Sequence, residues 1–66
     1  MTKDEAIEKL NQGFAITHTL WDENEDGKQP VIVKSDNGSY VLDYRDGFIE
    51  PFTLDGMTSP VGWELV

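Results

Sequence analysis

Apolar positions recur along the chain in two rhythms. Ala6, Ile7 and Leu10 lie at helical spacing, so they form one stripe on a short amphipathic helix. Thr2-Lys3-Asp4-Glu5 fits a capping box at its start, and Gly13 is the natural residue just past its end. From Phe14 to Trp21 the period changes to two. Phe14, Ile16, His18 and Leu20 share one side, and Ala15, Thr17, Thr19 and Trp21 the other, which predicts a strand over 14–21.

The next stretch, Val31 to Tyr44, is the organising hairpin. Asn37-Gly38 between two apolar runs is a strong tight-turn signal, since a primed turn needs positive φ at both central residues. A two-residue loop there pairs Val33 with Leu42 and Val31 with Tyr44. It collects Val31, Val33, Leu42 and Tyr44 on one face and Ile32, Lys34, Val41 and Asp43 on the other. A second turn at Arg45-Asp46-Gly47, with Gly47 left-handed, pairs Tyr44 with Phe48 and Tyr40 with Phe52. Phe48 to Leu54 reads as a strand, with Pro51 marking an edge or a bulge. Asp55 to Gly62 is a loop of turn residues, and Trp63 to Val66 closes the chain as a short strand. The predicted fold is α+β, one N-terminal helix packed on a four- to five-stranded antiparallel, meander-like sheet, in a single domain over 1–66.

Composition narrows the chemistry. Sixty-six residues bury only a small core, and small domains commonly add disulfides, a metal or a partner. There is no cysteine and a single histidine, His18, which excludes disulfides and ordinary zinc sites. Self-association, burying Trp21 or Trp63, is therefore expected. The formal net charge is −8, from thirteen acidic and five basic side chains. Such a surface repels nucleic acid and anionic lipid and attracts basic protein surfaces. The five basic residues are scattered, so direct nucleic-acid binding is not expected. With no long apolar run, the expectation is a cytoplasmic protein without membrane contact.

Candidate chemistry is sparse. His18 falls in register with the apolar side of its strand, where a hydrogen-bonded structural histidine is the plain reading and a general base the sharper one. Asp22-Glu23-Asn24-Glu25-Asp26-Gly27 opens like a calcium loop, but position 12 is Val33 and Pro30 leads into a strand. A solvated acidic hairpin loop is expected there, with no metal site. No nucleophile elbow or phosphate loop is present, so no catalytic residue is assigned and the protein is read as a non-enzyme. No cofactor is implied. Trp21 and Trp63 each adjoin a polar loop and serve either as core or as flat walls for a planar ligand. In the latter case Thr53, Asp55 and Thr58 offer oxygens, giving Trp21, Thr53, Asp55, Thr58 and Trp63 as the candidate ligand site.

The order of short motifs adds a family. Ala6, Leu10 and Gly13 in the helix, Trp21 closing a strand, Pro51-Phe52, Asp55, and the terminal Gly62-Trp63-Glu64-Leu65-Val66 together resemble the Thoeris anti-defence sponges, small phage proteins. The resemblance implies an oligomer that sequesters a nucleotide-derived defence signal without cleaving it, in host cytoplasm. The alternative, carried by charge, is an acidic inhibitor of a basic host protein, a DNA mimic among the options.

Overall fold

The capping box closes in the computed structural model, which describes all residues 1–66. The Glu5 N–H donates to Thr2 Oγ1 at 3.3 Å, and the Thr2 N–H donates back to Glu5 Oε1 at 3.1 Å. Those hydrogen bonds, the one from the Thr2 backbone foremost, hold the Glu5 carboxyl below its ordinary pKa. Helix α1 runs Lys3–Asn11. It ends in a Schellman motif: Gly13 N–H donates to the Leu10 carbonyl and Phe14 N–H to that of Lys9, each at 3.0 Å. Gly13 takes a φ of 95°, a conformation that favours glycine.

Five strands follow: β1 Ile16–His18, β2 Val31–Lys34, β3 Tyr40–Asp43, β4 Ile49–Phe52 and β5 Trp63–Leu65, with a 3₁₀ turn at Leu54–Gly56. They form one antiparallel sheet in the order β4-β3-β2-β1-β5. Strands β1 to β4 are a meander, and β5 returns to the free side of β1. This is the α+β fold expected, with the helix on one face. Ala6 and Leu10 from the helix bury against Ile16, Ile32 and Trp63, with Met57 from the 55–62 loop completing the core.

The central hairpin differs from its expected register by one residue. Val31 pairs with Asp43, Ile32 with Leu42, Val33 with Val41 and Lys34 with Tyr40. The loop holds three residues between Ser35 and Ser39, whose backbones bond at 2.7 Å. Asn37 Oδ1 accepts from the Ser39 N–H and the Ser35 hydroxyl, so the asparagine side chain builds the turn. Gly38 alone takes positive φ, and Asn37 avoids it. The shift matters for packing: it places Ile32 and Leu42 together under the helix side, beside Ile16. Val31, Val33 and Val41 go to the other face with Asp43.

The second turn follows expectation. Tyr40 pairs with Phe52, the Tyr44 N–H donates to the Phe48 carbonyl at 3.0 Å, and Gly47 has a φ of 98°. Arg45 also goes left-handed, at 63°. Strand β4 is a sheet edge, where the missing N–H of Pro51 leaves no interior ladder broken. No helix is long and apolar enough to cross a membrane.

Candidate functional site

Strand β1 stops at His18, three residues short of the end expected for a 14–21 strand, because one backbone bond and two side chains, His18 and Gln29, turn the chain there. The Trp21 N–H folds back on the His18 carbonyl at 3.1 Å. His18 Nδ1 accepts from the Leu20 N–H at 3.1 Å. Gln29 Nε2 donates to the His18 and Trp21 carbonyls at 3.1 and 2.8 Å, and more weakly to that of Thr19. The alternation that pointed to a longer strand is thus overruled by local hydrogen bonding. Phe14 and Leu20 are exposed, with the ammonium of Lys9 standing 5.5 Å over the Phe14 ring.

With Nδ1 accepting, the His18 proton sits on Nε2 and donates to the Val61 carbonyl at 2.9 Å. The ring is buried and both nitrogens have partners. His18 therefore pins two turns together through both ring nitrogens.

The turn also carries Trp21 to the same side as His18, where the alternation had placed it opposite. The Trp21 and Trp63 rings meet edge to face, 5.5 Å apart and at 86°. Trp63 is 1% exposed and its Nε1 donates to the Ser59 carbonyl at 2.9 Å. It belongs to the core. Trp21 is half-buried and presents its outer side to a cleft.

That cleft, about 460 Å³, is lined by Leu20, Trp21, Asp22, Glu23, Asn24, Pro30, Leu42, Tyr44 and Asp46. Its size is within the range of ligand sites. One wall is the turn after β1, and the other is the end of β3. Asn24 ties them: its Nδ2 donates to the Tyr44 carbonyl at 3.2 Å, while its Oδ1 accepts from the N–H groups of Asp26 and Lys28. The oxygen that a calcium loop would aim at its ion is committed to the loop's own backbone. No group of three or more His, Asp or Glu side chains gathers as a metal cage. Tyr44 is fixed at its far end too, its hydroxyl donating to Glu50 Oε1 at 2.6 Å.

Every ionisable group lining the cleft, Tyr44 aside, is a carboxylate. A polar depression beside it shares Glu23, Asn24 and Asp46 and adds Glu25 and Asp26. The arrangement offers an apolar, aromatic floor under a negative rim.

Of the residues singled out from the sequence, the structure brings Trp21 and Trp63 together but gives only Trp21 a place in the cleft. Thr53, Asp55 and Thr58 are exposed around the 3₁₀ turn and line neither depression. Leu42, Tyr44 and Asp46 were missed as a site because the turn that brings Trp21 over them depends on Gln29 and His18 side chains, which no periodicity records. Comparison with protein families, curated proteins and solved structures finds no match to this chain.

Proposed function

We propose that this is a non-catalytic acidic binding protein, acting in the cytoplasm, that engages the basic surface of a partner protein through the Trp21–Tyr44 cleft. The observation that carries the reading is the combination of aromatic floor and carboxylate rim. A net charge of −8 steers a basic partner towards the protein, and the apolar floor supplies the contact once steering has ended. Inhibition of a host protein is the natural outcome of such binding, since the acidic loop can occupy a surface built for phosphates.

Titration calorimetry with a basic polypeptide such as polylysine, at low and at physiological salt, tests it. Binding should weaken steeply with salt and should be reduced in Asp22→Asn/Asp46→Asn. Equal binding by that double variant would place the contact elsewhere and overturn the reading.

A second reading keeps one supporting observation. Trp21 and Tyr44 share the cleft, so a planar base can stack there, in keeping with a phage counter-defence protein that sequesters a nucleotide-derived signal. The carboxylates around them oppose its phosphates, which is why it stands second. Nucleotides of the cyclic ADP-ribose type that raise the melting temperature, where polylysine fails to bind, would reverse that order.

A further inference from the structure

We infer that the cleft is a receptor for a single arginine side chain, and that the partner is recognised by inserting one. This rests on the reading above and narrows it from a basic surface to one residue type.

The walls are flat and held. Trp21 is braced edge-on by Trp63, which is itself anchored to Ser59, and the Trp21 carbonyl is held by Gln29. Tyr44 is fixed through its carbonyl by Asn24 and through its hydroxyl by Glu50. A planar cation entering a cleft lined by rings so held demands little rearrangement from the protein. Guanidinium suits this shape. It stacks on aromatic faces, is weakly hydrated, and carries forked donors that match carboxylates in pairs. Asp22, Glu23 and Asp46 supply those carboxylates at the rim. Half-buried Pro30 and Leu42 give an apolar lining for the three-carbon stem, with the exposed Leu20 at the margin. An ammonium group, a compact and strongly hydrated point charge, gains less from both features.

The test uses the full chain and three short blocked peptides, identical except for one central residue: arginine, lysine or citrulline. Citrulline keeps the planar shape and removes the charge. The readout is the indole N–H resonance of Trp21 in a two-dimensional NMR titration, with that of Trp63 as an internal reference. The arginine peptide should give a saturable Trp21 shift. Citrulline should bind about tenfold more weakly or worse, with lysine between them. Asp22→Asn/Asp46→Asn, both exposed positions, should weaken the arginine peptide about tenfold with the spectrum otherwise intact.

Equal binding of arginine and lysine, or of arginine and citrulline, overturns the inference, as does a Trp21 signal that never moves with the arginine peptide. Polylysine separates the two levels. If it shifts the cleft resonances when the arginine peptide does not, the single-residue inference fails and the basic-surface reading survives. If neither moves them, both fail.

Discussion

Gly62 passes so close to His18 that a Cβ on it would stand 2.6 Å from the ring Nε2 and 2.9 Å from Cε1. Its φ of 94° is also one that side-chain-bearing residues rarely adopt. Both constraints sit at the junction where the chain enters β5. Gly62→Ala is therefore expected to destabilise the fold by at least about 2 kcal/mol, the strain alone accounting for about 1–3 kcal/mol. Urea denaturation reads it directly as a lower midpoint. An unchanged midpoint would mean that the ring gives way freely.

The histidine is expected to be needed for its hydrogen bonds. His18→Leu keeps an apolar body but leaves the Leu20 N–H and the Val61 carbonyl without their partner. A loss of about 2 kcal/mol or more follows from two unsatisfied groups. Amide exchange at Leu20 should accelerate more than exchange in β3; uniform protection in the variant would show that the turn holds itself.

The two tryptophans should separate cleanly. Trp63→Ala opens the core and costs about 3–5 kcal/mol, comparable to the whole stability of so small a domain. Trp21→Ala, from a half-buried ring, should cost about 1–2 kcal/mol and leave a folded protein with an impaired cleft. Circular dichroism of the two variants makes the comparison. An unfolded Trp21→Ala would reassign that ring to the core.

Stability at high pH should depend on Tyr44. The hydrogen bond to Glu50, then desolvation, push its phenol above the ordinary tyrosine value of about 10. The folded state thus favours the neutral phenol. Its contribution is fully present below the unfolded value and is lost as pH climbs through the raised folded one. Tyr44→Phe should flatten the alkaline limb of a stability–pH curve, as followed by urea midpoints. A parallel limb in both proteins would mean that the bond does not persist in solution.

Self-association, expected from chain size, has an apolar sheet face available to it. Only nine residues are buried in the single chain, and Trp63, one of the two rings expected at an interface, is among them. The face opposite the helix carries Val33, Val41, Ile49 and Pro51 in neighbouring strands. Light scattering at millimolar concentration should show a dimer that Val41→Asp abolishes. A clean monomer would remove the proposal.

The helix was legible in full, because its caps are local: Thr2, Glu5 and Gly13 each act within four residues. The 45–47 turn was legible for the same reason, since Gly47 marks the left-handed position within the loop itself. The 36–38 turn was not, since Asn37 reaches Ser35 and Ser39 with its side chain and adds one residue to the loop. That single residue reassigned the whole of β3 relative to β2. Met57 gave no signal at all; it lies in a run of turn residues and is buried only because the chain folds over the helix side. The cleft failed to show for a different reason. Its parts come from positions 20–24, 30 and 42–46, and they meet only after Gln29 has bent the chain.

Strand β5 has a consequence for the order of folding. Strands β1 to β4 meet through successive hairpins, but β5 meets β1 across most of the chain, Leu65 beside Ile16. Closing so long a loop costs entropy before any contact forms, so the meander should assemble first and the β1–β5 seam last. Changes at Gly62 and Trp63 would then speed unfolding while barely slowing refolding, and stopped-flow chevrons would show it as a shift in the unfolding arm alone. A matching fall in the refolding arm would put the seam in the nucleus instead. On this account the seam governs how long a folded molecule lasts, while the hairpins govern how quickly one is made.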